Sequence, residues 1–437
     1  MTIQQQIEAR TASTLRWGLG HALPRVAIRG SARRGDLHGR LIEAPDQETT
    51  LEVFDLIRAS GPLHRAKFAY VTASQPVVKE VLTSPDMRSG IDFGPGGPLA
   101  KVSEWAFRSA PMGPLKPPSL LVTEPPDHTR YRKLVTRVFS VKAVQRLRER
   151  TQTIADELLD QLDPSRPVDL VEAYCSQLPV TVIAEILGVP EHDHGRVLAF
   201  GQGAAPSLDL GLSWRSFRGV ESSLAEFQGW LDDHIESVRR SPGDDLLSQL
   251  VTARDEHGAP LSDDELRATA GLVLAAGFET TVNLLGNGIQ LLHDNPEQLA
   301  HLRDSPDAWP NAVDEALRLD PPVLLTGRMA ARDTQIAGTS VPRGTMITTL
   351  LAGANRDPEV FTDPGLFDVT RSNANDHVSF SSGRHYCLGA ALARMEGEVG
   401  LRTIFERFPD LQLHPGATRR STRILRGFET LPATLSS

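Results

Sequence analysis

The stretch Phe380-Ser-Ser-Gly-Arg-His-Tyr-Cys387-Leu-Gly-Ala-Ala-Leu-Ala-Arg394 decides how the rest of the chain is read. It places a cysteine between a glycine-bearing loop and an alanine-rich helix expected to begin near Leu388. A sulfur in that position lies beside the positive end of a helix dipole, which favours thiolate over thiol. Gly383 and Gly389 let backbone amides approach the sulfur, lowering its basicity and tuning any iron it binds. A lone cysteine is more often a small buried hydrophobe than a ligand. Three other segments change that balance.

The first is a helix. Ser262-Asp-Asp-Glu265 is a capping-box pattern, and no proline follows until Asn295-Pro296, so a helix of about 30 residues, or about 45 Å, is expected. From Leu272 to Leu292 it is apolar on nearly every face, which a protein in water tolerates only in its interior. In its middle sits Ala276-Gly277-Phe278-Glu279-Thr280-Thr281. A glycine, a carboxylate and two β-branched hydroxyl residues are poor choices for a buried helix. They point either to close helix packing with Thr280 bonding back to its own turn, or to chemistry.

The second segment is Glu315-Ala-Leu-Arg318, where i, i+3 spacing puts carboxylate and guanidinium on one helix face. The third is Glu124-Pro-Pro-Asp-His128-Thr-Arg-Tyr-Arg132, where His128 and Arg132 at i, i+4 can reach a single anion. Taken singly, each also reads as a surface ion pair or a solvated basic face.

Together these elements resemble the cytochromes P450. The haem-ligand pattern of that family is matched at Phe380, Gly383, His385, Cys387 and Gly389, with Ser381 standing where the family has its first glycine. The resemblance implies that Cys387 is the proximal thiolate of haem b. It further implies that His128, Arg132, Arg328 and His385 contact the propionates and that Phe380, Gly389 and Ala276 complete the haem pocket. Glu315 and Arg318 would form a structural clamp. Leu366, before Phe367, departs from the basic third member usual there, and Arg371 is a candidate substitute. Glu279 and Thr280 would be the acid and alcohol that manage protons, with Gly277 opening a groove for dioxygen. Val323, Leu324, Leu325 and Phe428 would meet the substrate.

The expected fold is therefore mainly α with small β-sheets (α+β), a long central helix lying over a haem sandwiched with the Cys387 loop and its following helix. Residues 1–437 are expected to form one domain. Within it, 1–40 would be a loosely ordered N-terminal segment, 88–120 and 200–230 substrate-access regions, and 376–394 the ligand loop and following helix. The activity implied is insertion of one atom of dioxygen into an apolar organic molecule of lipid, terpenoid, polyketide or steroid type. Electrons would come from a ferredoxin and an NAD(P)H-dependent ferredoxin reductase, because no flavin, nicotinamide or iron–sulfur fingerprint is found. Arg130, Lys133 and Arg384 are candidates for a basic docking patch. A haem protein that carries a ligand or senses gas without turnover, and a peroxide-using P450, are the alternatives.

Composition agrees. A chain of 437 residues with 40% apolar content can bury a large core. Lys plus Arg total 46 against 55 Asp plus Glu, a net charge of −9, which argues against nucleic acid or a general affinity for anionic membrane while leaving local basic patches open. Two distant cysteines, Cys175 and Cys387, suit a reducing compartment, and Cys175 reads as a packed thiol. The first residues lack a signal-peptide pattern and no run of roughly 18 apolar residues occurs, so a cytoplasmic location is expected. Leu15 to Ile28 mixes Leu, Trp and Ala with His and Arg, as a segment grazing a membrane would, but Gly18, Gly20 and Pro24 are expected to break a helix there, so a loosely packed segment and no membrane contact are expected.

Apolar periodicity predicts further helices over 140–162, 179–187, 214–238 and 296–319. Strands are expected at 68–72, 334–336, 345–351 and 427–435, and long loops at 88–120 and 355–389. Glu191-His-Asp-His194 does not share one helix face as metal ligands would, and Gly94-Pro-Gly-Gly97 lacks the context of a dinucleotide loop.

Overall fold

The computed structural model describes residues 3–44, 46–90, 98–136, 139–255 and 258–435, so Gly94 to Gly97 lie outside the described residues. From the N-terminus run α1 (Ile3–Trp17), α2 (Leu23–Ala32), α3 (Leu37–Ile42), α4 (Gln47–Ala59), β1 (His64–Arg65), β2 (Tyr70–Thr72), α5 (Gln75–Thr83), β3 (Met87–Arg88) and α6 (Pro98–Arg108). Next come α7 (Asp127–Thr136), α8 (Val141–Asp160), β4 (Val168–Asp169), α9 (Gln177–Ile186), α10 (His194–Ala204), α11 (Trp214–Arg240), α12 (Leu246–Thr252), α13 (Asp263–Asp294), α14 (Pro296–Asp304) and α15 (Trp309–Leu319). The last part holds β5 (Thr326–Ala330), β6 (Thr334–Ile336), β7 (Thr339–Val341), β8 (Met346–Thr349), α16 (Leu351–Ala354), α17 (Ala390–Arg407), β9 (Gln412–Leu413), β10 (Thr418–Arg419), β11 (Phe428–Thr430) and β12 (Pro432–Thr434). Helix accounts for 58% of the structure and the sheets are small, which is the α+β class expected.

The central helix α13 begins where the capping box places it. Ser262 Oγ accepts from the Glu265 N–H at 3.3 Å, and Glu265 Oε2 accepts from the Ser262 N–H at 2.8 Å. It ends at Asn295, where Pro296 cannot continue the ladder. Phe278, Leu284, Leu285 and Ile289 are fully buried, each contributing about 1.5–3 kcal/mol of burial free energy. This is a helix long and apolar enough to cross a membrane, and it is mostly buried in the core, packed against α9, α15 and α17. Close approach depends on small residues: a Cβ at Gly400 of α17 would sit 2.6 Å from Leu285 Cδ2.

The largest sheet has the order β1-β2-β8-β5-β3, with β2 parallel to β8 and the other pairs antiparallel. It puts Arg328 on β5 opposite Ile347. A second sheet, β4-β12-β9, and the β10-β11 pair carry the C-terminal turn toward α13.

Several local expectations fail for identifiable reasons. The periodic stretch 296–319 is two helices, because Pro306 disfavours helical geometry at Ser305 and a short 3-10 turn intervenes. The terminal strand is split into β11 and β12, and α6 interrupts the loop expected over 88–120. The N-terminal segment is not loosely ordered among its described residues. Pro24 sits in the first turn of α2, where no N–H is required, and Gly18–Ala22 forms a π-turn that joins α2 to α1. Arg16 is buried, ion-paired to Glu221 at 2.6 Å and donating to the Ala106 carbonyl at 2.7 Å, so α1 is fastened to α6 and α11.

Candidate active site

The loop before α17 is held by its own backbone. The Cys387 N–H donates to the Phe380 carbonyl at 2.9 Å and the Tyr386 N–H to the Gly383 carbonyl at 3.0 Å. Phe380 is buried beside the His377 and Tyr386 rings, with the Arg394 guanidinium 4.6 Å from its centroid. Gly383 has φ +68°, and a Cβ there would lie 2.6 Å from the Leu82 carbonyl oxygen, so only glycine fits. Ser381 has φ +63° and an unpartnered buried hydroxyl. A glycine position is occupied by serine here, at the cost of a strained backbone.

Gly389 caps α17 and its N–H donates to the Cys387 sulfur, while a Cβ at Gly389 would meet no protein atom within 4 Å. Cys387 is exposed by surface area although protein crowds its other sides, the situation of a side chain facing a recess. That crowding raises its thiol above the ordinary range, opposed by the Gly389 amide and by Arg132 and Arg394. Cys175, by contrast, is buried among apolar neighbours, which raise its thiol strongly.

Four basic side chains expected at a carboxylate site gather by this loop. The His128 and His385 rings are 4.5 Å apart. Burial, then His385 and Arg132, lower His128 to about 4, so it is neutral at neutral pH. Arg132 has no ion pair or side-chain hydrogen bond among the described residues, and burial lowers it, with Cys387 acting in the opposite direction. Arg328 is buried with only neutral oxygen partners, Thr326 Oγ1 at 3.2 Å and the Gly327 carbonyl at 2.8 Å. Burial pulls it to about 10 despite Glu124. Glu124 was not anticipated. It meets His385 Nε2 at 3.1 Å and Arg384 at 3.4 Å and accepts from the Ser89 N–H at 2.6 Å, contacts that outweigh burial and hold its carboxyl below the usual range.

The clamp forms as expected. Arg318 Nε and Nη2 donate to the two Glu315 oxygens at 2.7 and 2.8 Å, both side chains fully buried. Arg371 Nε donates to Glu315 Oε1 at 3.1 Å and is the third member. Both arginines also donate to the Leu366 carbonyl, so the position that lacks a basic side chain contributes its backbone.

On α13, Ala276 is exposed and Thr280 half-exposed, four residues apart on one face, and Thr280 Oγ1 donates to the Ala276 carbonyl at 3.1 Å. Glu279 is buried and paired through Oε1 with Arg420, while its Oε2 has no partner among the described residues. Burial raises its carboxyl although Arg420 opposes this. Arg420, which also donates to the Phe428 carbonyl at 3.1 Å, was invisible as a site residue because it reaches Glu279 only through the β10-β11 turn. Gly277 faces α9. A Cβ there would lie 2.7 Å from Ile183 Cγ1, so this glycine serves packing of α13 on α9. A second buried carboxyl, Glu396 of α17, has no hydrogen-bond partner among the described residues and is raised well above the usual range by burial.

Val323, Leu324 and Leu325 keep partial exposure. Phe428 instead is buried in the main core, with the Arg419 guanidinium 3.9 Å from its ring and Gly286 of α13 beside it, which assigns it to packing. Phe200, Phe217 and Trp230 are likewise core. Arg130 and Arg384 are not free for docking: Arg130 pairs with Glu265 and Asp255, and Arg384 donates to the Ser84 and Met87 carbonyls.

The donor set fits haem b. An accessible sulfur accepts an amide, an adjoining glycine faces open space, and two guanidiniums without carboxylate partners among the described residues lie within the same cluster. Comparison with known proteins agrees. The Cytochrome P450 family model matches residues 211–307 and 309–432. The chain is 50% identical over 426 residues to a Mycobacterium tuberculosis protein carried under the name cytochrome P450 140, covering 96% of this chain and 97% of that one. It is 42% identical over 316 residues to 6-deoxyerythronolide B hydroxylase of Saccharopolyspora erythraea, covering 72% and 77%. The crystal structure of Mycobacterium smegmatis CYP164A2 superposes with TM-score 0.80 at 33% identity, over 91% of this chain and 99% of that one. With loop, clamp and sequence in agreement, the chain belongs to the cytochrome P450 family and is a haem-thiolate monooxygenase.

Proposed function

We propose that this P450 hydroxylates an apolar molecule of medium to large size, of lipid, terpenoid, polyketide or steroid class, in a recess between Cys387 and the Ala276–Thr280 face of α13. The observation that carries the reading is that this face keeps accessible surface in the middle of an otherwise buried helix, with a raised carboxyl next to it. A relative named as a hydroxylase of 6-deoxyerythronolide B supports the substrate class. Val323, Leu324 and Leu325 supply apolar contacts at the edge of the recess.

Cys387 would ligate the iron, with the Gly389 amide moderating the sulfur charge; Arg132, Arg328, His128 and His385 would bind the propionates. When bound, haem supplies dioxygen activation at an iron whose thiolate ligand favours O–O cleavage. Thr280 Oγ1 would release the Ala276 carbonyl and donate into the recess. Arg420 holds Glu279 by Oε1, leaving Oε2 to take up and pass on protons. Electrons would arrive from a ferredoxin and its NAD(P)H-dependent reductase, docking near the exposed Lys133 of α7.

Thr280→Ala tests the assignment. With a substrate identified by spectral titration of a lipid and macrolide library, electron consumption should persist while product gives way to hydrogen peroxide. An unchanged product yield would remove Thr280 from proton delivery.

A further inference from the structure

The helix α2 presents an unusual outer face. Leu23, Val26, Arg29 and Arg33 recur at steps of three and four and are exposed, Leu23 at 62% and Val26 at 71%. The residues of α2 that turn inward include Ile28 and Ser31, both buried. Large apolar side chains from other segments stand exposed beside it. Phe107 of α6 lies 3.7 Å from the Cβ position of Gly20, Gly211 next to exposed Leu210 packs on Arg25, and Trp214 packs edge-on against Trp17 at 5.5 Å. Past the C-terminal end of α2, a cleft of about 540 Å³ is lined by Arg34, Arg65 and Lys67, and the neighbouring Phe68 is exposed with Lys67 over its ring.

The charge on this face opposes that of the whole protein. Arg29, Arg33 and Arg34 are exposed at the C-terminal end of α2, in a chain of net charge −9. Arg33, Arg34, Arg65 and Lys67 have no carboxylate partner among the described residues. Asp36 is engaged by the backbone N–H groups of Gly39 and Lys67, and Glu43 by Arg29 and Arg423. Exposed apolar tips fringed by unpaired arginines and a lysine complement an apolar layer beneath anionic headgroups. A second copy on the same face would set these arginines against one another.

We propose that the face formed by α2, the β1–β2 turn, the 209–213 loop and Phe107 of α6 docks this P450 peripherally on an anionic lipid bilayer. Docking inserts Leu23, Val26, Leu210 and Phe68 at headgroup depth and sets the arginines against lipid phosphate. It needs no membrane-crossing helix. The preceding helix α1 is fastened through Arg16 to α6 and to the start of α11, and Phe107 and Gly211 lie against the α2 region, so the bilayer would lie against the proposed substrate-access segments.

The test is sedimentation of the full-length, haem-loaded protein with phosphatidylcholine vesicles, with and without phosphatidylglycerol. Binding is expected only to the phosphatidylglycerol vesicles and should weaken as salt rises. The double substitution Arg33→Glu with Arg34→Glu should lower partitioning by about thirtyfold or more. Leu23→Ser with Val26→Ser should lower it too, and leave the thiolate carbon monoxide spectrum unchanged. The proposal falls if the protein ignores anionic vesicles at low salt, binds neutral ones equally, or binds irrespective of both substitutions. It also falls if gel filtration shows a dimer that the same substitutions dissolve, since the occupant would then be a second copy. None of these outcomes depends on which substrate is oxidised.

Discussion

Around Arg318 every guanidinium donor has a partner, whereas Arg132 and Arg328 meet no carboxylate among the described residues. Arg318 donates to both oxygens of Glu315 and to the carbonyls of Asn355, Pro364 and Leu366, and Glu315 accepts in addition from Arg371 and the Asp368 N–H. Arg328, equally buried, has one hydroxyl and one carbonyl. A closed network of this kind holds parts of the chain together. An open one keeps positive charge in a low-dielectric setting for an anion the protein itself lacks. The same residue type therefore does two jobs, and its partners, not its burial, distinguish them.

Breaking the closed network should have the larger effect. Arg318→Ala leaves Glu315 buried with only Arg371 and one amide, and should cost about 3–5 kcal/mol in chemical unfolding, together with loss of haem incorporation. A loss below about 1 kcal/mol would show that the pair is not a clamp.

Opening the other cluster further should act on ligand more than on fold. Arg328→Leu removes a buried cation that has no ionic partner, so the haem-free protein should unfold at nearly the same denaturant concentration. Haem should then transfer to a scavenging protein about 10–100-fold more readily, as expected for loss of a charge-assisted bond. If the haem-free protein is destabilised as much as by Arg318→Ala, the distinction between the clusters fails.

The smallest effect sharpens the picture of the loop between them. Ser381→Gly relieves a left-handed residue and removes an orphaned hydroxyl, and should raise stability by about 1 kcal/mol without moving the carbon monoxide band. A shifted band would mean that Ser381 tunes the thiolate.

Much of this is legible in the sequence. The capping box, the i, i+3 clamp and the spacing around Cys387 are local patterns whose geometry follows from helix pitch and turn chemistry, and each forms where expected. Arg371 is a candidate in the sequence only because Leu366 is not basic, and in the structure it pairs with Glu315. The packing of Gly277 and Phe428 is not legible in the sequence, for a common reason. Small and aromatic residues carry no directional signal, so their neighbours, Ile183 in one case and Gly286 in the other, depend on how distant helices and strands pack. Glu124 and Arg420 were missed because their partners lie on separate elements.

The amino-acid sequence alone determined the fold class, the long central helix, the cysteine loop and the clamp, because each is encoded within a few turns of chain. Only the tertiary structure decided which cations stay without a partner, that Glu279 is held by Arg420 through one oxygen, and that the N-terminal helices are braced on α6 and α11 with an apolar, basic face outward. Those outcomes depend on pairs of residues far apart in the chain, whose meeting is set by packing and desolvation, not by spacing.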